Sequence, residues 1–370
     1  MKKVYCVVVL LFLLGACQSR PALAPRPTPL LTPVFPVGNL TQGNASNVSE
    51  LATLVIDSPN PIAAVAFNQD NQELLAVDGQ QGMLRQWYLK DSQLLTTTQV
   101  SPIGNISASF NEQAGRLAIG GGNVSILTAD KTPPSYKDIR LWDVKSGEMI
   151  FESLPVTMPL GEPLYDIAMN GDGSWVIEVG PGGITGWNVA TDKPDVSIAL
   201  GGSFDEDPIL SELTAVATDV PGQWYAYGQY SGKITVDRRD LFPQLNTAIW
   251  HAQIRDNGIP LALGFNATRS RLAAVANNSV IVWDMQALFE GTEVFHQSIP
   301  TTTLAVLTFS PNGTLLATGT DNGWQIWSVA DGKLLIENKE PTHAIAFSPD
   351  GRLFAWGDTK GVVHIWGVKE

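Results

Sequence analysis

From about residue 48 to the end, two apolar patterns take turns along the chain. One is an alternating apolar stretch that runs into a tight polar turn and out into a second apolar run. It is clearest in Ala346-Phe347-Ser348-Pro349-Asp350-Gly351-Arg352-Leu353-Phe354-Ala355 and in Thr308-Phe309-Ser310-Pro311-Asn312-Gly313-Thr314-Leu315-Leu316-Ala317. Such alternation around Pro-Asp-Gly or Pro-Asn-Gly predicts a strand, a turn and a strand. Looser copies span Phe67 to Ala76, Phe110 to Ala118, Ala168 to Ile177, Ala217 to Ala226 and Phe265 to Ala274. The other pattern is a short apolar strand that ends in tryptophan. Ile139-Arg140-Leu141-Trp142-Asp143-Val144 returns as Val280-Ile281-Val282-Trp283-Asp284-Met285, Trp324-Gln325-Ile326-Trp327-Ser328-Val329 and Val363-His364-Ile365-Trp366-Gly367-Val368. Weaker copies end at Trp87 and Trp187, and Ile234-Thr235-Val236-Asp237 has aspartate in the tryptophan's place.

Positions 87, 142, 187, 237, 283, 327 and 366 stand 55, 45, 50, 46, 44 and 39 residues apart. A period near 40–45, with tryptophan closing an apolar strand, marks a propeller blade. On these residues the stretch 48–370 resembles the WD-repeat β-propeller family. The resemblance implies three strands per blade up to the tryptophan, termed a, b and c, followed by an outer strand d. Seven such positions then imply an all-β, seven-bladed WD-repeat β-propeller. The chain ends agree. Only four residues follow Trp366, too few for an outer strand, while a spare strand-like run, Glu50 to Asp57, precedes the first inner strand, Ile62 to Phe67. Pairing that run with Val362 to Val368 completes the last blade, closes the ring and covers its edges.

Blades of this family often carry a polar network of His, Ser or Thr, Asp and Trp. In the last repeat His343, Asp358 and Trp366 match three of these roles, and Trp356 occupies the Ser/Thr position. In the sixth, Thr318, Asp321 and Trp327 match, and no histidine precedes the inner strand. The resemblance therefore makes Trp87, Trp142, Trp187, Trp283, Trp327, Trp366, His343 and Asp358 blade-packing residues. It transfers no partner specificity, because the network concerns blade stability.

The start of the chain reads as an address. Lys2 and Lys3 precede an almost unbroken apolar run, Val4 to Leu14, which is shorter than the roughly 20 residues a membrane-spanning helix needs. Leu14-Gly15-Ala16-Cys17 follows. These residues resemble the bacterial lipoprotein signal. The resemblance implies a signal peptide at 1–16, cleavage before Cys17, diacylglyceryl attachment to the Cys17 sulfur and acylation of the new amino group. The alternative is an ordinary secretory signal cut after Ala22 or Ala24. Several acyl chains hold a protein firmly on a bilayer. The expected location is therefore a bacterial cell membrane, lipid-anchored, on the extracytoplasmic side. Residues 17–47 read as a lipidated tether, since six prolines between Pro21 and Pro36 favour extended polyproline II over a sheet. Three Asn-x-Ser/Thr triplets at Asn39, Asn44 and Asn47 are chance matches in a Ser/Thr/Asn-rich stretch.

Composition narrows the chemistry. The net charge is −13, so nucleic-acid binding through basic patches is not expected. Cys6 leaves with the signal, so the mature chain has no pair for a disulfide, and no cysteine-built metal site or iron–sulfur centre. The P-loop, the Gly-x-Ser-x-Gly elbow and the His-Glu-x-x-His helix are all absent from the sequence. Gly120-Gly121-Gly122 and Gly180-Pro181-Gly182-Gly183 follow b strands and read as turns rather than phosphate cradles. Asp205, Glu206 and Asp207, with Glu212 near, read as a solvated loop; a calcium site would want more oxygen ligands in a rigid turn. No cofactor, metal or catalytic residue is expected. His364 reads as a strand residue, and Asp166, Glu178 and Asp219 are scattered relative to the repeat frame.

Three connections exceed what blade geometry requires: 121–138, 201–209 and 251–259. In this family b–c and d–a connections emerge on one face of the disc, so the three converge. Loops on a rigid scaffold are favoured places for recognition. Lys131, Tyr136, Lys137, Asp205, Glu206, Asp207, His251 and Arg255 are the candidate partner-binding residues. The expected function is a membrane-tethered, non-catalytic scaffold for an unidentified protein or peptide partner. The alternative is a propeller enzyme, or a carbohydrate- or small-ligand-binding protein of the cell envelope, with carboxylates at the central channel.

Overall fold

In six blades strands a and b are joined by a hairpin whose turn is capped from its own sequence. In the last repeat Ser348 Oγ accepts the N–H of Leu353 at 2.8 Å and donates to Asp350 at 2.6 Å. Gly351 supplies the left-handed residue at φ 71°. Ser310 does the same for Leu315 at 3.0 Å. Asn68, Asn170, Asp219 and Asn266 take the serine's place in other blades, each accepting the N–H five residues on, at 2.9–3.0 Å. A short polar side chain that holds its own turn sets the register of the two strands that leave it.

The computed structural model describes residues 37–56, 59–101, 106–111, 115–121, 138–152, 166–180, 183–191, 193–199, 213–241, 249–255, 258–286 and 292–369. All lie within one unit, Pro33–Glu370. Seven antiparallel sheets follow one another along the chain. The first six have strands a to d in sequence order. They are Ile62–Phe67, Glu73–Asp78, Met83–Tyr88 and Gln93–Gln99 in blade 1; Ile106–Asn111, Arg116–Gly121, Asp138–Asp143 and Glu148–Glu152 in blade 2; Asp166–Met169, Trp175–Gly180, Gly183–Asn188 and Lys193–Ala199 in blade 3. Blade 4 comprises Leu213–Thr218, Trp224–Gln229, Lys233–Arg238 and Trp250–Gln253; blade 5, Pro260–Phe265, Arg271–Ala276, Ser279–Asp284 and Thr292–Ser298; blade 6, Ala305–Phe309, Leu315–Thr320, Gly323–Ser328 and Leu334–Asn338. The inner strands touch in order around a ring, and that of blade 7, Thr342–Phe347, touches that of blade 1.

Blade 7 is completed from the other end of the chain. Val48–Val55 pairs with Val362–Lys369, from Val48 opposite Val368 to Val55 opposite Val362. The closing strand thus begins two residues before the expected Glu50, and Asp57 lies outside the described residues. Pairing reaches further still: Val37 and Gly38 align with Lys369 and Val368. Leu40, expected in a tether, is buried in a cluster with Trp324, Phe347, Phe354 and Trp356, and its N–H reaches Gly351 O at 3.1 Å. Residues 37–47 therefore lie on the last blade. One apolar anchor and the local turn held by Asn44, which accepts Thr41 N–H at 2.8 Å, outweigh the polar composition of the stretch. Residues 1–36, with Cys17, lie outside the described residues.

The core lies between neighbouring blades. Trp87 packs with Leu353 and Ile365 of blade 7 as well as with Leu74 of its own blade, so the first and last blades share one cluster. Trp283 meets Trp250 of blade 4 edge-on, with ring centroids 5.7 Å apart. Trp187 and Trp327 are likewise buried, while Trp142 and Trp366 are partly so. In blade 4 Asp237 stands opposite Tyr225, whose hydroxyl is pushed up by burial and then by the Asp237 charge. Burial also raises the Asp237 carboxyl, against the pull of the Arg238 N–H.

Candidate binding face and central channel

Every inner strand starts at the same rim, where the b–c turns also emerge. There the channel opens into a space of about 850 Å³. Ala63, Ala108, Leu261, Ala305 and Val306 give it apolar walls. Gln80, Tyr230, Asn277 and Thr301 to Thr303 make its rim polar. A narrower space of about 270 Å³ continues below, between the inner strands. Asp166 lines both, so its carboxyl stands at the waist of the channel.

Asp166 is the first residue of its strand, where the other inner strands begin with Ile62, Ile106, Leu213, Pro260, Ala305 and Thr342. One carboxylate oxygen accepts its neighbour Ile167 N–H at 2.9 Å, and the other accepts Val216 N–H of blade 4 at 2.9 Å. Burial pushes this carboxyl up to about 7, and the two N–H donors only partly offset it. Across the mouth, burial lowers the His343 imidazole, which the Asp321 charge only partly counters, so the ring is neutral at pH 7. Asp321 itself is held below the ordinary carboxylate range by donors from Thr302 and Thr303 that outweigh its desolvation. Thr303 Oγ1 donates to it at 3.1 Å, and Thr302 Oγ1 is bonded to its other oxygen. Thr302 thus stands before the inner strand of blade 6, where the resemblance implies a histidine. Asn60 holds Asp78 in blade 1 in the same way, at 3.2 Å.

The histidine network implied for the last repeat does not assemble. Asp358 uses its carboxylate on its own turn, accepting the N–H groups of Lys360 and Val362 at 2.8 and 2.7 Å. Trp366 Nε1 has no partner among the described residues. Trp356, in place of Ser or Thr, offers no acceptor and instead stacks on His364, with ring centroids 3.9 Å apart. In blade 6 the matching residues do connect: Trp327 Nε1 donates to Thr318 Oγ1 at 3.0 Å.

Lys131, Tyr136, Lys137, Asp205, Glu206 and Asp207 lie outside the described residues. The strands on either side, Arg116–Gly121 with Asp138–Asp143 and Lys193–Ala199 with Leu213–Thr218, attach those two connections at the rim of the channel mouth. The third connection differs from its expected place. His251 is exposed in the outer strand Trp250–Gln253, opposite Thr235, because Trp250 buries its ring against Trp283 and pulls the segment into the sheet. The extra length of blade 4 falls between Arg238 and Trp250, a c–d connection on the other face. Arg255 remains exposed and reaches Glu293 at 3.3 Å. Among the described residues no group of three or more His, Cys, Asp or Glu could hold a metal ion.

Asp166 was visible in the sequence only as an acid out of step with its neighbours. Its place at the waist depends on where the strand of blade 3 enters the ring.

Residues 294–328 match the family described as WD domain, G-beta repeat. The match runs from the outer strand of blade 5 through strand c of blade 6, the frame in which the repeat is read. The chain is 29% identical over 139 residues to Autophagy-related protein 18 of Debaryomyces hansenii, a match covering 35% of this chain and 25% of that one. The chain thus spans a quarter of that relative's length. The β-propeller domain of Cps50 (Swd1) from Myceliophteria thermophila superposes with a TM-score of 0.68 at 16% identity, over 87% of this chain and 100% of that one. That likeness is one of fold. The chain is a seven-bladed β-propeller carrying a WD repeat.

Proposed function

We propose that the chain is a non-catalytic interaction scaffold, tethered through an acylated Cys17 to the extracytoplasmic side of a bacterial membrane. It engages a protein or peptide partner at the face where the channel opens. The observation that carries this reading is the mouth of about 850 Å³ at the rim to which the long connections 122–137 and 200–212 are attached. A rigid ring that presents a concave mouth at one end can grip a partner without moving itself. The WD repeat and the propeller fold support a binding role, and the signal-like residues 1–17 support the anchor. The fold alone does not identify the partner.

Two measurements test it. Metabolic labelling with a palmitate analogue should mark the wild type and not Cys17→Ser; equal labelling would remove the lipid anchor. Photo-crosslinkers introduced at Gln80, Tyr230 and Asn277 should capture a partner from native membranes, whereas crosslinkers at the opposite face, for example at Asp331, should not. Capture from the opposite face alone would overturn the assignment of the mouth.

A further inference from the structure

The channel mouth is graded in polarity from rim to waist. Threonine hydroxyls, Gln80 and Asn277 ring its opening, Ala63, Leu261, Ala305 and Val306 line its wall, and Asp166 closes it. Among the described lining residues Asp166 is the sole carboxylate, and none is lysine or arginine. His343, the other ionisable group besides Tyr230, is neutral at pH 7 and adds no positive charge. We propose that the mouth receives an unbranched side chain carrying a primary amine, a lysine of the partner, whose ammonium settles on the Asp166 carboxylate. This rests on the reading of the mouth as the binding face.

The geometry selects the ammonium over a guanidinium. A guanidinium fork needs both carboxylate oxygens free on one edge. Here Oδ1 already takes Ile167 N–H and Oδ2 takes Val216 N–H, each at 2.9 Å. An ammonium is a point charge and needs only one remaining lone pair. The apolar wall suits a methylene stem whose charged tip lies beyond it.

The amine also couples to protons. With its carboxyl near 7, Asp166 holds a proton in much of the empty protein at pH 6, and the incoming ammonium displaces it to solvent. Arg116, on the b strand of blade 2 that packs against the Asp166 strand, donates to Gly173 O at 2.7 Å. Glu178, on the adjacent b strand, turns its carboxylate to Trp187 Nε1 at 3.5 Å. The facing inner strands, Leu213–Thr218 and Ile106–Asn111, carry no ionisable residue.

The test uses the full-length protein in detergent and acetylated, amidated pentapeptides with a central lysine, norleucine or arginine between glycines, titrated by calorimetry. The lysine peptide should bind at least tenfold more tightly than the norleucine peptide, which has a similar stem and no amine. Its affinity should rise about tenfold from pH 6 to pH 8, with proton release seen as a buffer-dependent heat. Asp166→Asn should abolish both the preference and the pH dependence. No binding of the lysine peptide, equal binding of norleucine, tighter binding of arginine, or unchanged binding by Asp166→Asn would each overturn the proposal. Partner capture from membranes separates the two readings, with melting curves checking that each variant folds. If Val306→Phe, which narrows the channel, loses the partner while Asp166→Asn keeps it, the amine is wrong and the mouth stands. If both keep it, the mouth is wrong too.

Discussion

His364 Nδ1 lies 2.8 Å from Glu50 Oε2, joining the last c strand to the strand that closes the ring. The imidazole lies flat on Trp356, with an interplanar angle of 9°, and its other nitrogen is 3.9 Å from Asp358. Two residues 314 apart in sequence thus meet across the seam between the chain ends.

The seam is built mainly from backbone pairing and apolar burial, so its parts should differ in weight. Glu50→Ala should cost about 1 kcal/mol or less, since the Glu50 side chain is 45% exposed. Removing residues 37–55 should prevent cooperative folding, because Leu40 and Leu54 leave their clusters and Val362–Lys369 becomes a bare edge. Removing residues 18–36 should leave the melting temperature unchanged. Thermal melts of the three variants check this, and a cooperative melt without 37–55 would refute the closure.

Asp166 predicts a pH dependence with a definite sign. Its folded-state carboxyl, near 7, lies above the ordinary 3.8, so the native state holds the proton more tightly. The stability it contributes is complete below about pH 4 and is lost as pH rises through 7. The loss is at most about 4 kcal/mol. Asp166→Asn, which does not ionise but leaves one of the two N–H groups without an acceptor, should melt somewhat below the wild type at pH 4 and close or reverse that gap by pH 8. A gap that widens from pH 4 to pH 8 would mean that the charged carboxylate is favoured in the fold.

Asp195 clasps blades 3 and 4 together. It accepts Trp175 Nε1 at 2.8 Å and Arg239 Nε at 2.8 Å, while the Arg239 guanidinium lies 4.9 Å above the Trp175 ring. Asp195→Ala should cost about 1–3 kcal/mol, because an indole N–H and a half-buried guanidinium lose their acceptor together. Arg239→Lys should cost less. Chemical denaturation of both variants, and of the pair combined, would expose a coupling that single losses miss.

Gly357 sits where blade 7 approaches blade 1. A Cβ there would overlap Ile62, the first residue of the first inner strand. Gly357→Ala should destabilise by about 1–3 kcal/mol, and part of that should be recovered in an Ile62→Ala background, which removes the Cγ1 and Cγ2 atoms the new Cβ would meet. Denaturation midpoints measure the recovery; none would place the strain elsewhere.

Fold and site were legible to different depths. The blades could be read because each repeats the same local devices, a side chain that caps its own turn and an apolar strand ending in tryptophan. Ser348 with Gly351 and Ser310 with Gly313 needed no distant partner to be recognised. Asp237 also fitted by spacing alone, although its side chain breaks the motif. The closing strand was inferable because a blade lacking strand d at one end and a spare strand at the other leave one solution. Its extension to Val37 was not, because one leucine among polar residues carries no periodicity. His251 was misplaced for a related reason: the tryptophan beside it, Trp250, finds its partner Trp283 only in the next blade.

The number of blades, their strands and the closure of the ring follow from local patterns and spacing, since β-hairpins form between sequence neighbours. The channel and its chemistry were decided by tertiary structure. Asp166 becomes a channel carboxyl only when the Val216 N–H and the apolar walls of other blades surround it. Thr302 replaces a histidine only because Asp321 turns to meet it. Burial and charge at the centre of a ring depend on all seven blades at once, and no single repeat contains that information.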